Sequence, residues 1–354
     1  RLKKIKSDAS FREFYRLHKG KKTSIIVMSQ KDKFRNLVVY AAINKYLKTK
    51  GIYTPKLISQ HFDEGIIELE DFGNKTLLDY VKKSRNKLFF YKKCIDVILK
   101  IQKIKLQKKI KFGPNKYFNL NSYNAATLHK ESDLFFDWYL KLYVNKNKLF
   151  NLKYKIKKEL NNIYKKLNFK NSYFTHRDFH ASNVMVSGNK LGLIDSQDAI
   201  IGNPLYDVVS LIDDVRIRLP QSLQDNLFKY YILKSKFKTK KEFYLKNDFD
   251  ILSVQRNLKI LGIFVRLFKR DKKSNYLKYL PYTWSLVKRR MGRLTQRNAQ
   301  ILKFSRKAYP HIMEYIYTSR ASKEPITKEG LLKAIDGSDL KKDKIPAFVE
   351  MVLP

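Results

Sequence analysis

The sequence has a single cysteine, Cys94, among its 354 residues. One cysteine excludes an internal disulfide framework and fits a reducing compartment. The surrounding run "LFFYKKCIDVILKIQKI" has helical spacing and places Cys94 on one face with Tyr91, Ile98 and Ile101. We therefore expect a small buried hydrophobic residue rather than a reactive thiol.

Long apolar segments are also missing. No charge-free apolar run approaches the ~20 residues that a membrane-spanning helix needs. The opening "RLKKIKSDASFREFYRLHKG" has no apolar stretch of the kind found in secretory signals. These two features lead us to expect a cytoplasmic protein without a membrane span.

Acidic residues are scarce relative to basic ones. The chain has 75 Lys and Arg against 32 Asp and Glu, a formal net charge of +43. Such a charge raises the question of nucleic acid or anionic lipid as a partner. The lysines are spread along the whole length, which favours solvated helix faces, although a functional basic surface stays open. Neither an aromatic RNA-binding signature nor a helix-turn-helix spacing stands out, so no specific nucleic-acid partner is expected.

The remaining pattern predicts an α+β protein, in which a small β-rich lobe is followed by a large helical lobe. Short strand-like runs, "FREFYRL", "TSIIVMS" and two more around Asp63, surround the helical run "KFRNLVVYAAINKYL". After Gly73 helical spacing dominates, and helices are predicted at 88–106, 131–148 and 152–168. We predict a β-rich lobe over 1–74, a helical lobe over 75–318 and a tail of unassigned role over 319–354. Nothing in the sequence indicates the oligomeric state.

The run "THRDFHASNVMV", residues 175–186, collects polar groups between two strand-like segments. Phosphoryl transfer needs a carboxylate for the attacking hydroxyl and oxygen ligands for Mg²⁺. Asp178 is followed, with four residues between, by Asn183, and Asp195 ends the next apolar run "LGLID". A hairpin through "SGNK" would bring Asn183 and Asp195 side by side. This order and spacing of Asp, Asn and Asp is similar to that of the protein-kinase catalytic motifs.

Two other interpretations of this loop compete with the catalytic one. His176 and His180 could bind zinc if the segment were helical, but its flanks indicate strands and no further His or Cys lies nearby. The loop could also be a purely structural polar turn, in which His180 only orients its neighbours by hydrogen bonding.

The motifs resemble the aminoglycoside-phosphotransferase/choline-kinase superfamily. "HRDFHASNVMV" together with "LGLIDSQDAIIGNPLYDVVSLIDD" carries that resemblance. The chain looks closest to the bacterial anomeric amino-sugar kinases, the N-acetylmuramate/N-acetylglucosamine 1-kinases. "SDASFREFYRL", "IDSQDA" and the segment 254–281 support this branch. The resemblance extends from about Ser7 to Leu280.

The resemblance implies a bilobal, protein-kinase-like fold with ATP and Mg²⁺ as cofactors, and it assigns roles by position. Asp178 would be the catalytic base, and Asn183 and Asp195 the Mg²⁺ ligands. Asp207 would brace the catalytic loop. The turn over the ATP phosphates would be formed by Ser7, Asp8, Ala9, Ser10 and Phe11. The hinge that offers backbone groups to adenine would be formed by Glu68, Leu69 and Glu70.

The chain departs from protein kinases at the phosphate contacts. The strand 24–29, "SIIVMS", contains no lysine, and the following helix offers no glutamate to pair with one. The turn "SDAS" contains no glycine. These departures leave open which residues contact the phosphates.

The resemblance implies a kinase that phosphorylates the anomeric hydroxyl of an N-acetylated amino sugar in peptidoglycan recycling. For an acceptor with a lactyl carboxylate, Arg256 and Arg266 are candidate partners, although both could be solvated or core-bracing arginines. An aminoglycoside, a choline-like alcohol or another sugar is the alternative acceptor, and the strong positive charge argues against polycationic aminoglycosides. An inactive, basic binding module is the alternative from a different class.

Overall fold

The computed structural model describes residues 1–5, 12–30, 34–84, 86–142, 144, 146–188, 190–237 and 242–294. Contacts between residues divide the chain into two compact units. The first unit combines Arg1–Tyr123 with Phe169–Glu242, and the second combines Asn124–Asn168 with the chain from Phe243 onward. This division does not follow the lobe boundary at residue 74, which stays a prediction. The predicted tail 319–354 lies outside the described residues.

The first unit begins with a five-stranded antiparallel sheet. Its strands are β1 (Leu2–Ile5), β2 (Glu13–Lys19), β3 (Lys22–Met28), β4 (Leu57–His61) and β5 (Ile66–Glu70), in the order β1-β2-β3-β5-β4. The two predicted strand pairs are confirmed, whereas β1 was not expected from the sequence. The turn before β5 requires glycine, because Gly65 has φ +70 and a Cβ there would lie 2.3 Å from the Ser29 carbonyl oxygen.

Helix α1 (Phe34–Thr49) covers one face of this sheet. Its Leu37 and Tyr40 form a buried cluster with Val27, Ile67 and Leu69 of the strands. The predicted helix is confirmed, and it ends just before Gly51, whose φ of +75 does not continue a helix.

Short helices and three two-stranded pairs complete the first unit. Cys94 is fully buried within α3 with Tyr91, Ile98 and Ile101, as predicted, and burial raises the pKa of its thiol. The hairpin of β6 and β7 was not expected, although its turn "GPNK" carries Asn115 at φ 52. The helices are α2 (Leu77–Lys83), α3 (Lys87–Gln102), α6 (Tyr206–Ile212) and α7 (Gln221–Lys234), and the strands are β6 (Lys109–Gly113), β7 (Lys116–Asn119), β8 (Tyr173–Thr175), β9 (Val184–Ser187), β10 (Lys190–Leu193) and β11 (Ile200–Gly202).

The described part of the second unit is helical, as predicted. It contains α4 (Ala125–Leu134), α5 (Lys146–Tyr164), α8 (Glu242–Asp271) and α9 (Leu280–Leu294). The helix bounds predicted at 131–148 and 152–168 are wrong, because α4 is followed by a π-helical turn at Phe135–Tyr139 and a 3-10 turn at Leu140–Leu142, and α5 is Lys146–Tyr164. The backbone at Leu134 approaches α8 at Gly262, where a Cβ would lie 2.2 Å from the Leu134 carbonyl oxygen. Within the described ranges, no helix is both long enough and apolar enough to cross a membrane.

Candidate active site

The first half of the loop between β8 and β9 is held in place by a buried carboxylate, Asp207 of α6. Its two oxygens accept the backbone N–H of His176 at 2.7 Å and of Arg177 at 2.9 Å. Arg177 has a left-handed backbone with φ 74, a strained conformation for a residue with a Cβ. Burial raises the pKa of Asp207 to about 6, against the opposing influence of His176 and of the two backbone donors. Asp207 thus fixes the residue that precedes Asp178.

The second half of the loop folds back on Asp178. The Asp178 carbonyl oxygen accepts the His180 N–H at 2.9 Å and the Asn183 side-chain N–H at 3.1 Å. The N–H of Ala181 is donated to Asp214, a second buried carboxylate, at 3.2 Å. The Asp178 side chain itself is half-buried. The loop therefore fixes Asp178 and Asn183 relative to each other through its backbone.

The strands that follow form the predicted hairpin. β9 pairs with β10, with Val184 opposite Leu193, and the Ile194 N–H donates to the Asn183 carbonyl oxygen at 3.1 Å. Asn183 and Asp195 consequently lie at the same end of the hairpin, as the spacing predicted. Asp195 has φ 66, another left-handed residue with a Cβ.

Segments before and after the predicted hinge hold this hairpin on both edges. The Leu193 N–H donates to the Tyr53 carbonyl oxygen at 2.9 Å, and the Val186 N–H to the Lys75 carbonyl oxygen at 3.0 Å. Gly192 faces the ring of Phe72 so closely that a Cβ there would lie 2.4 Å from it. Only glycine at this position lets the hairpin and Phe72 pack against each other.

Asp195 receives a hydrogen bond and ion pair from Arg12, a residue to which the sequence analysis assigned no role. Arg12 is buried, and its second terminal nitrogen donates to Gln197 Oε1 at 3.1 Å. The Ser196 hydroxyl donates to Asn44 of α1 at 2.7 Å. Arg12 belongs to the motif "SDASFREFYRL" and Asp195 to the motif "IDSQDA". The two residues are 183 positions apart, so local spacing does not reveal their pairing.

The predicted hinge residues Glu68, Leu69 and Glu70 lie at the end of β5, where the backbone pairs with β3 and β4. The connection that follows is held by Arg16 of β2, which donates to Asp71 at 2.5 and 3.0 Å. A role for the three residues at adenine remains a prediction. The five residues predicted to cover the phosphates, Ser7 to Phe11, lie outside the described residues.

The two histidines of the loop differ in their surroundings. His176 is fully buried against Phe179, and neither ring nitrogen has a hydrogen-bond partner among the described residues. His180 Nε2 lies 3.4 Å from the side-chain nitrogen of Asn183. Within the described ranges, no group of three or more His, Cys, Asp or Glu side chains is placed to hold a metal ion.

The two arginines predicted to bind a substrate carboxylate lie in α8. Arg256 is 4% exposed, and its buried Nη1 has no hydrogen-bond partner in the described part of the chain. Arg266 is half-buried, and burial lowers the pKa of its guanidinium. Their role in binding substrate remains a prediction.

Comparison with known proteins gives consistent matches. The chain is similar to an N-acetylmuramate/N-acetylglucosamine kinase of Pseudomonas aeruginosa, with 28% identity over 280 residues that cover 78% of this chain and 79% of the relative. A protein of the same name from Neisseria meningitidis serogroup B is 26% identical over 289 residues, which cover 80% of this chain and 83% of the relative.

Among solved structures, the ADP-bound aminoglycoside phosphotransferase APH(2'')-Ib has a TM-score of 0.57 and 13% sequence identity. The match covers 81% of this chain and 92% of that one. This likeness shows the fold and confirms the predicted α+β, kinase-like class. Residues 1–241, more than half of the chain, match the family described as "Phosphotransferase enzyme family". The family resemblance and the predicted phosphotransferase activity are thereby confirmed, and the chain belongs to the Phosphotransferase enzyme family.

Proposed function

We propose that the protein transfers the γ-phosphoryl group of ATP, with Mg²⁺, to the anomeric hydroxyl of an N-acetylated amino sugar. The observation that carries the proposal is the catalytic loop and hairpin, which bring Asp178, Asn183 and Asp195 together. The choice of acceptor rests on the relatives named N-acetylmuramate/N-acetylglucosamine kinase. Such a reaction belongs to peptidoglycan recycling and takes place in the cytoplasm, where ATP is available.

In the proposed reaction Asp178 acts as the base. A bond forms between the sugar hydroxyl oxygen and the γ-phosphorus, and the bond from that phosphorus to the oxygen bridging it to the β-phosphorus breaks. The hydroxyl proton passes to the Asp178 carboxylate, and ADP leaves. An anomeric hydroxyl is more acidic than an ordinary alcohol, so a single positioned carboxylate suffices. The half-buried side chain of Asp178 on a braced loop suits this role.

The residues at the end of the hairpin fit Mg²⁺. Asp195 offers a carboxylate that is 34% exposed, and Asn183 offers an amide oxygen, because its amide nitrogen already donates to Asp178. Hard oxygen ligands of this kind are the ones that Mg²⁺ prefers. When bound, the ion neutralises charge that develops on the phosphates.

N-acetylmuramate carries a lactyl carboxylate, which calls for a cationic partner in the protein. Arg256 and Arg266 stay our candidates, and Arg256 is the stronger one because its buried Nη1 has no hydrogen-bond partner among the described residues. A guanidinium pairs with a carboxylate through two parallel hydrogen bonds. The aminoglycoside and choline-like alternatives rest on structural likeness at low identity, which supports the fold alone.

The test measures ATP-dependent phosphorylation of free N-acetylglucosamine, its methyl glycoside and N-acetylmuramate. The free sugars should be phosphorylated at C1, with the position read by phosphorus NMR, and the methyl glycoside should not react because its anomeric oxygen is blocked. In the same assay, Arg256→Gln should raise KM for N-acetylmuramate and leave KM for N-acetylglucosamine unchanged.

Equal phosphorylation of the free sugar and its methyl glycoside would contradict anomeric transfer while leaving a kinase. Failure of all three acceptors beside phosphorylation of an aminoglycoside or choline would replace the proposed acceptor. An equal rise of KM for both sugars in Arg256→Gln would remove that residue from carboxylate recognition.

A further inference from the structure

The chain lacks the lysine–glutamate pair with which protein kinases contact nucleotide phosphates. The interior of β3, from Ser24 to Val27, contains no lysine, and α1 contains no acidic residue. The phosphates of a nucleoside triphosphate carry negative charge that a cation beside the metal ligands would stabilise.

Arg12 lies where such a cation would be needed, next to the proposed metal-binding carboxylate. Its guanidinium contacts the Asp195 carboxylate, the side chain that we propose as a Mg²⁺ ligand. Gln197, two residues further on, accepts from Arg12 at 3.1 Å. The guanidinium carbon lies 5.6 Å from the ring centres of Phe14 and of Tyr40, and Tyr40 belongs to α1. Arg12 is therefore fixed by groups from three separate parts of the chain.

The charge balance of this position favours an anionic ligand. A guanidinium that is only 4% exposed needs a nearby negative charge to offset its loss of hydration. Asp195 supplies that charge here. A divalent cation on Asp195 would claim the same carboxylate, and the nucleotide phosphates would then supply the anion that Arg12 needs. Arginine suits this exchange because its planar guanidinium binds carboxylate and phosphate through the same donors.

We propose that Arg12 is the phosphate-binding cation of the nucleotide site, in place of the strand lysine, with Gln197 and Tyr40 as its positioning residues. The proposal rests on ATP as the phosphoryl donor and is independent of the acceptor. It also explains why "IDSQDA" carries glutamine after the metal-binding carboxylate, since that side chain orients the guanidinium.

The experiment compares ADP with adenosine, which lacks phosphates, by calorimetry with Mg²⁺ and without an acceptor, so that Asp195 can bind the metal and no turnover contributes. Arg12→Gln should weaken ADP binding roughly 10- to 100-fold, the worth of a charge-assisted hydrogen bond, and change adenosine affinity by less than about twofold. Lys4→Gln is the matched control, because it removes an exposed cation of the same sheet that pairs with Glu13. It should leave both affinities unchanged.

Arg12→Lys guards against a folding defect, because it keeps the positive charge beside Asp195. Its ammonium cannot reproduce the planar two-sided contact, so ADP affinity should fall less than in Arg12→Gln and adenosine affinity should stay the same. Undiminished ADP binding in both variants, or equal losses for ADP and adenosine, would overturn the role of Arg12. A wild-type protein that does not bind ADP at all would overturn the proposed donor as well.

Discussion

Carboxylates in two regions of the molecule differ in their exposure and in their backbone conformation, and the difference distinguishes proposed catalytic residues from structural ones. In the catalytic loop and hairpin, Asp178 and Asp195 are half-buried, and a left-handed residue lies immediately before the first and at the second. In the helical second unit, Glu131 and Asp250 are buried on regular helices. Each of those has a cationic partner, Lys259 at 2.8 Å and Arg290 at 3.3 Å.

The difference follows from the cost of burying charge. A fully buried carboxylate must be paired or hydrogen-bonded at all times, so it is not free to exchange partners with a substrate or metal. A partly exposed carboxylate can exchange partners, and backbone strain at its position persists only because surrounding contacts enforce it. Strain together with partial exposure therefore indicates the site more specifically than burial or ion pairing does.

The largest expected effect concerns Asp178. Asp178→Asn should lower kcat by roughly 10²–10⁴, the usual contribution of a positioned base, while nucleotide affinity and Tm stay unchanged. The measurement is steady-state kinetics with the acceptor that the proposed substrate assay identifies, together with thermal unfolding. Asp225→Asn, at an exposed position of α7, is the control and should retain full activity. Near-wild-type kcat in Asp178→Asn would remove this residue from the mechanism.

The opposite behaviour is expected of Asp250. Asp250→Asn removes a negative charge that pairs with the buried guanidinium of Arg290 and should lower the free energy of unfolding by about 3 kcal/mol. Asp271→Asn removes a partly exposed pair with Arg270 from the same helix, and should cost less than about 1 kcal/mol. Chemical denaturation measures both. Similar losses of unfolding free energy in the two variants would mean that burial does not determine how much each carboxylate contributes to stability.

Asp207 combines features of both regions, because it is buried and yet supports the loop. The folded protein retains its proton up to about pH 6, whereas the unfolded chain releases it near the ordinary pKa of 3.8. The retained proton therefore contributes about 3 kcal/mol to the free energy of unfolding below about pH 4. This contribution is lost as pH rises through 6.

Asp207→Asn cannot titrate, so the stability of the wild type minus that of the variant should fall between about pH 4 and pH 7. Denaturation series at several pH values measure this difference. A difference that is flat, or that rises with pH, would show that the hydrogen bonds to the two loop N–H groups outweigh burial and keep Asp207 ionised.

Much of the local geometry followed from the sequence. The spacing of Asp178, Asn183 and Asp195 predicted a loop and a hairpin, and both are present, because a four-residue separation and a tight turn leave few arrangements. The burial of Cys94 followed from helical periodicity in the same way. The brace by Asp207 was expected only from the family resemblance.

Contacts between distant segments were not predictable from spacing. Arg12 reaches Asp195 across 183 positions, and nothing in either local sequence indicates the other. The helix bounds predicted at 131–148 and 152–168 failed because a π-helical turn at Phe135–Tyr139 interrupts the pattern, and such a turn has no sequence periodicity that distinguishes it from an α-helix. The β6–β7 hairpin was missed although Gly113, Pro114 and Asn115 form a typical turn sequence.

The packing of Gly192 against Phe72 has a mechanical consequence. Together with the backbone hydrogen bonds from Leu193 to Tyr53 and from Val186 to Lys75, it joins the hairpin to the segments on either side of the predicted hinge. A nucleotide with its base near that hinge and its phosphates near Asp195 would contact two places that these contacts hold at a fixed separation. We therefore expect the hairpin to act as a spacer of fixed length, which would select ligands by the distance between their base and their phosphates.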